Sequence, residues 1–118
     1  VSYASSSDGR LKTNFVDTKF TISDLMKVKP RQFLWSGLNG KSSGPKICNG
    51  FIAQELNEVY PEAVQVPPGS TGKGKLKNEN DVWTIDYGAI SPLIVKAVQD
   101  QQKIIEKLER RISELENK

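Results

Sequence analysis

At 118 residues the chain suits one domain with a modest core, and its 36% hydrophobic content is low for a compact monomer, so further buried surface is expected from outside the chain. Its 17 basic and 14 acidic residues leave a net charge of +3, and the two signs are interleaved, which argues against a nucleic-acid footprint even at a pI near 9.0. The single cysteine, Cys48, excludes an intrachain disulfide framework and fits a reducing compartment. No apolar run approaches the roughly 18 residues of a membrane span, and Val1 to Ser7 lacks the apolar core of a signal peptide, so a soluble domain without membrane contact is expected.

The chain opens on a polar segment, Ser7-Asp8-Gly9-Arg10-Leu11-Lys12, in which Ser-Asp-Gly is a turn signal. Phe15, Val16, Phe20, Ile22, Leu25, Met26 and Val28 follow as apolar positions, with Asp17 and Thr18 between them as turn or cap residues. Ser23-Asp24 offers an N-cap to a short helix over Leu25 to Lys29, closed by Pro30. Phe33-Leu34-Trp35 reads as a strand, and Gly37 to Gly44, with Asn39-Gly40, reads as a hairpin tip. The segment from Ile47 starts as a strand and becomes helical, since Ile52, Leu56 and Val59 recur at helical spacing until Pro61 ends it. Glu62 to Val66 alternates as a strand, Pro67-Pro68-Gly69 stops it, and Gly69 to Asn80 lacks apolar periodicity and reads as a mobile loop.

Within that loop, Gly69 to Lys75 nearly satisfies the phosphate-loop pattern of glycine, four residues, glycine and lysine. The next residue is Leu76 where the pattern needs Ser or Thr, and no helix pattern follows, so a solvated hairpin loop is the reading and no nucleotide is assigned. No cofactor and no metal-ligand set is read from the sequence. Val82 to Tyr87 alternates large apolar and polar side chains as a strand. Ser91 as N-cap and Pro92 as first helical residue open the last helix.

That helix carries a heptad seam, with Val98, Ile105 and Ile112 at a, and Ile94, Gln101, Leu108 and Leu115 at d. The flanking positions include Glu109, Arg111, Glu116 and Lys118, so Arg111 is placed to meet Glu116 of a neighbouring helix. Outside this seam the C-terminal half is polar except for Ile104, and self-association is therefore expected rather than packing on the same chain. Isoleucine at a with leucine at d favours two strands. Gln101 in the core and the run Arg111 to Glu116, which resembles a motif of short trimeric coiled coils, favour three, the number expected here.

Serine needs a base within hydrogen-bond reach to act as a nucleophile, and serine-lysine pairs are an alternative to serine-histidine ones. The chain has no histidine, which leaves lysine, carboxylates and tyrosine as bases and leaves Cys48 without an activating partner. Lysine must be neutral to accept a proton, and with an ordinary pKa of about 10.4 that costs about 4 kcal/mol at neutral pH. Burial or a neighbouring cation supplies it. Ser7 and Lys12 are therefore a candidate catalytic pair on condition that folding, or assembly with other chains, covers them. Without that, the segment is a solvated turn.

Three stretches in this order carry a resemblance: Ser7-Asp8-Gly9-Arg10-Leu11-Lys12 leading into Thr13-Asn14; Gly50-Phe51-Ile52-Ala53-Gln54-Glu55 followed by Tyr60-Pro61-Glu62-Ala63-Val64; and Thr84-Ile85-Asp86-Tyr87 running into Pro92-Leu93 and the heptads. Together they resemble the C-terminal intramolecular chaperone, self-cleaving domain of bacteriophage tailspikes, tail fibres and neck appendages, over nearly the whole chain. The fold this implies is α+β, a small strand and short-helix globular part followed by a long helix in a trimeric coiled coil. Residues 1–6 become the end of an upstream fibre domain or linker, 7–118 the chaperone domain, and 92–118 its coiled-coil helix.

The resemblance further implies a homotrimer that registers three copies of the upstream fibre or tailspike domain of the same chain and then cuts itself off between Ser6 and Ser7. The enzyme would be a single-turnover serine endopeptidase with Ser7 as nucleophile and Lys12 as base, from the same chain or a neighbour. Asp8 and Arg10 would fix the turn, Arg10 also helping to keep Lys12 neutral, while Asn49 and Gln54 carry amides that could serve an oxyanion. The setting would be the host cytoplasm during virion assembly, with the domain shed from the mature virion protein. Three alternatives stay open: a trimerisation scaffold that does not cleave, the related self-cleaving domain of membrane-tethered transcription regulators in animals, and a nucleic-acid module.

Overall fold

The computed structural model describes residues 6–35 and 46–118. Its regular elements are α1 (Ile22–Leu25), β1 (Arg31–Leu34), β2 (Ile47–Gly50), α2 (Ala53–Val59), β3 (Val64–Gln65), β4 (Thr84–Ile85) and α3 (Ser91–Glu116). Short 3-10 turns stand at Gly9–Leu11, Pro61–Ala63, Glu79–Asp81 and Tyr87–Ala89. The architecture is α+β: two small antiparallel ladders, short helices and one long C-terminal helix.

The first ladder pairs β1 with β2, Phe33 opposite Cys48 and Arg31 opposite Gly50. The expected hairpin tip at Gly37 to Gly44 lies outside the described residues. The second pairs β3 with β4, Val64 opposite Ile85 and Gln65 opposite Thr84, and Asp86 N extends it by donating to the Ala63 carbonyl at 2.8 Å. With only two residues on β3 to pair with, the strand expected over Val82 to Tyr87 shortens to Thr84–Ile85. The strand expected over Glu62 to Val66 likewise yields its first half to a 3-10 turn, because Pro61 sets a helical φ at that turn's start.

Two helix starts differ from expectation. α1 begins at Ile22, capped by Thr21, and Asp24 is its third residue: Asp24 N donates to Thr21 Oγ1 at 3.3 Å while Thr21 N donates to Asp24 Oδ2 at 3.0 Å. This reciprocal capping box outbids Ser23-Asp24 as the start, because it satisfies two orphan donors at once. α3 starts at Ser91 behind Ile90, and no side chain caps it. The preceding turn runs into it without an extended residue, Ile90 N donating to Tyr87 O and Leu93 N to Ile90 O, so Ser91 is already helical.

The buried core is small. Leu56, Ala63 and Ile90 form its centre, with Val28, Phe51, Tyr60, Val64, Ile85 and Ala89 packed on it, and Leu93 and Ala97 seat the start of α3. α1 lies against α3. A 13.1 kDa chain exposes 10181 Å², where a compact monomer of that mass would expose about 6,400 Å². The radius of gyration, 19.8 Å, likewise exceeds the roughly 13.5 Å of a compact 118-residue domain. Among the described residues, α3 and the N-terminal arm both carry exposed large apolar side chains.

α3 presents two separate faces. Leu93 and Ala97 are buried and Lys96 and Asp100, ion-paired at 2.7 Å, are half-buried, whereas every residue from 101 to 118 is exposed. The apolar seam residues Ile94, Val98, Ile105, Leu108, Ile112 and Leu115 are between 42 and 57% exposed and Gln101 is exposed. At 3.6 residues per turn this seam lies roughly 100° round the helix from the face that holds the globular part. Arg111 pairs within its own helix, Nη1 standing 3.9 Å from Glu114 Oε2. No described helix is long and apolar enough to cross a membrane.

Candidate functional site

The Gly9–Leu11 turn brings the two ends of the polar segment together. Asp8 caps it: its Oδ1 accepts from Arg10 N at 2.9 Å, while Leu11 N and Lys12 N donate to Asp8 O and Gly9 O at 3.0 and 3.1 Å. Such a turn folds the chain back over five residues, and Lys12 Nζ meets Ser7 Oγ at 2.6 Å. The Ser7 and Lys12 side chains named from the sequence are thus in direct contact.

Asp8 and Arg10 pair with each other. The guanidinium grips the carboxylate through Nε at 3.1 Å and Nη2 at 2.6 Å. That side-chain contact, reinforced by the Arg10 backbone N–H, holds the Asp8 carboxyl below the usual carboxylate range, and Asp8 pushes the Arg10 guanidinium up. The pair fixes the turn as expected. It also spends the Arg10 charge on Asp8, so Arg10 is a weaker aid to Lys12 neutrality than the sequence suggested.

Residues 6 to 19 are all exposed, and none of the described residues buries Ser7 or Lys12. The two amides considered for an oxyanion lie elsewhere: Gln54 Nε2 donates to Gly72 O at 3.3 Å, and Asn49 stands in β2 opposite Gln32. Neither hydrogen-bonds to the Ser7–Lys12 segment among the described residues. Among the described residues, no group is placed to desolvate Lys12.

Behind the turn, the other two signature stretches pack together. Phe51 stacks on Tyr87 at 5.7 Å between ring centroids, and Phe51 N donates to the Tyr87 hydroxyl at 3.4 Å. A Cβ on Gly50 would stand 2.8 Å from that hydroxyl and 3.3 Å from the Phe33 ring, which explains glycine at this position. Glu55, on α2, receives Arg31 of β1 through two hydrogen bonds of 2.9 and 2.7 Å, and this contact holds the Glu55 carboxyl below its ordinary range. Sequence reasoning missed Arg31, since nothing local links it to a residue 24 positions on.

The loop from Gly69 to Asn80 is tied at its base rather than free. Ser70 Oγ donates to Asp81 Oδ1 at 2.5 Å and accepts from Trp83 Nε1 at 2.9 Å, while Lys77 N donates to Asp81 Oδ2 at 3.3 Å. These contacts, the Ser70 hydroxyl foremost, hold the Asp81 carboxyl below its usual range. Gly72, at φ +70°, passes so close under Trp83 that a Cβ would lie 2.6 Å from the ring. A 3-10 turn, not a helix, follows the glycines, so the loop lacks the helix N-terminus of a phosphate site. Among the described residues no cluster of His, Cys, Asp and Glu is placed to hold a metal ion.

An α+β domain with a serine-lysine contact on an N-terminal turn and a long uncovered C-terminal helix is a narrow class. Residues 7–65, half of the chain, match the Peptidase_S74 family model, described as chaperone of endosialidase. The chain belongs to that family. The match begins at Ser7 and takes in the turn, both strands of the first ladder, α2 and β3. A viral relative, described as "Uncharacterized protein VP1" of Micromonas pusilla reovirus (isolate Netherlands/2005), is 37% identical over 65 residues, which is 53% of this chain and 3% of that protein. The chain thus corresponds to a small part of a much longer protein.

Proposed function

We propose that the chain is an intramolecular chaperone of a viral fibre or tailspike: it trimerises along the α3 seam, registers three copies of an upstream domain, and releases itself by autoproteolysis between Ser6 and Ser7. The family supports a chaperone that acts on a neighbouring domain. The observation that carries the cleavage is the 2.6 Å contact between Lys12 Nζ and Ser7 Oγ. A neutral amine in that geometry accepts the Ser7 proton as Oγ attacks the Ser6 carbonyl carbon. The Ser6–Ser7 C–N bond then breaks, Lys12 returns the proton to the leaving Ser7 nitrogen, and water hydrolyses the resulting ester to a Ser6 carboxylate. Each chain acts once.

Exposure of the pair in one copy fits activation by assembly. Burial against neighbours would disfavour the ammonium and so arm Lys12 only after three chains have met. The order suits the task, because interwoven fibres have high contact order and a trailing trimer raises the effective concentration of their chains. Cleavage then removes the scaffold and leaves the fibre kinetically locked. The event belongs to virion assembly in the host cytoplasm. A scaffold that registers without cutting is the second reading, favoured by that same exposure.

Intact mass under denaturing conditions tests this on a longer chain carrying the upstream domain. The wild type is expected as two pieces that meet at Ser6–Ser7, and Ser7→Ala and Lys12→Ala as whole chains that still associate. A wild type that associates and stays whole removes the peptidase and leaves the scaffold.

A further inference from the structure

The arm that follows the candidate pair is not buried by any described residue of its own chain. From Lys12 to Lys19 it forms no helix or strand, and Leu11, Phe15 and Val16 are 76, 72 and 83% exposed. At its far end the Phe20 ring meets Tyr60 edge-on at 5.4 Å. Asn14, at φ +56°, puts a left-handed bend in the arm just before Phe15. Three exposed apolar side chains beside the candidate pair imply a receiving surface.

The same chain carries an apolar groove of about 410 Å³, open to solvent, floored by Phe33, Phe51 and Ile85 and walled by Trp35, Ile52 and Tyr87. Trp35 is 60% and Tyr87 52% exposed, and Trp35 stands edge-on to Phe33 at 5.3 Å, so the rings are ordered yet uncovered. None of the described residues that line it is charged. That composition does not suit a glycan or a nucleic acid, whose hydroxyls and phosphates need charged or amide partners. It suits aliphatic and aromatic side chains on an extended segment.

We propose that this groove receives the Leu11–Val16 arm of a second copy of the chain. The surface surplus points to a copy: it amounts to about 3,800 Å² beyond a compact monomer, several times the roughly 800 Å² per partner of a standard interface. The α3 seam is one strip of that surplus, and arm and groove are part of the exposed apolar surface on the globular part. Docking Phe15 and Val16 draws Lys12, three residues upstream, against the neighbour's surface, so the candidate pair is completed by the partner copy. The inference rests on the assembly reading of the proposed function and assigns the surface that desolvates Lys12.

The test uses the full chain with its upstream domain. A copy with p-benzoylphenylalanine in place of Phe15 is refolded with an equal amount of isotopically heavy wild type, irradiated and mapped. Expected is a light arm joined to heavy peptides that contain Trp35, Ile52 or Tyr87, with Trp35→Ala in the heavy copy lowering the yield severalfold. Native mass on the same mixture reads assembly separately. Oligomers whose cross-links stay within one chain, fall on the upstream domain or do not form overturn the groove and leave assembly standing. A mixture that stays monomeric overturns both.

Discussion

Ile105 measures the seam most directly. It sits at an a position, 42% exposed in the single chain, and Ile105→Ala removes three carbon atoms, worth about 2.4 kcal/mol if fully buried. Since the uncovered fraction is what assembly gains, the loss is about 1 kcal/mol per chain and about 3 kcal/mol for three. The association constant should then fall about 100-fold. Sedimentation equilibrium across a concentration series reads this, and the fitted stoichiometry separates three chains from two. Ile104, one step round the helix at a flanking position and 47% exposed, is the control, and its alanine variant should shift association less than about tenfold. Equal losses at Ile104 and Ile105, or a wild type that stays monomeric throughout, would refute the heptad argument.

Three further outcomes probe the globular part. Leu56→Ala, at the centre of a very small core, should cost about 2–5 kcal/mol; a denaturant midpoint near that of the wild type would mean the core is not where stability resides. Gly50→Ala should destabilise through its contact with the Tyr87 hydroxyl, and adding Tyr87→Phe should recover part of the loss in thermal melts, whereas no recovery would place the strain on Phe33. The Asp81 carboxyl is held below its ordinary range by Ser70, so its contribution is present above the unfolded carboxylate range and lost as pH falls through the folded value. Trp83 emission should report that acid transition, and Asp81→Asn should abolish it; an unchanged transition in the variant would assign it to another carboxylate.

Sequence legibility followed the range of the interactions. Periodicity is local, so α2 and the α3 seam were placed from Ile52, Leu56, Val59 and the 94-to-115 spacing. Ser7 and Lys12 were only a candidate pair in the sequence, and it is the Asp8-capped turn at Gly9–Leu11 that brings their side chains together. Capping was ambiguous where Thr21, Ser23 and Asp24 all suit the role, and only the reciprocal bonding of Thr21 with Asp24 decides between them. The strand over Val82 to Tyr87 was overestimated because strand length depends on a partner, and β3 offers two residues. The Ser70–Asp81–Trp83 clasp and the Arg31–Glu55 pair join residues 11 or more apart with no repeating pattern, and so left no trace in composition or spacing. Whether anything covers Lys12 was not legible, since burial depends on contacts that no local pattern records.

The angular separation of the two faces of α3 has a consequence for engineering and for evolution. Burial on α3 ends at Asp100, and every residue from 101 to 118 is exposed. Under the proposed function the distal heptads are a replaceable module: a different heptad helix joined after Asp100 would change how many chains associate and leave the Ser7–Lys12 segment as it is.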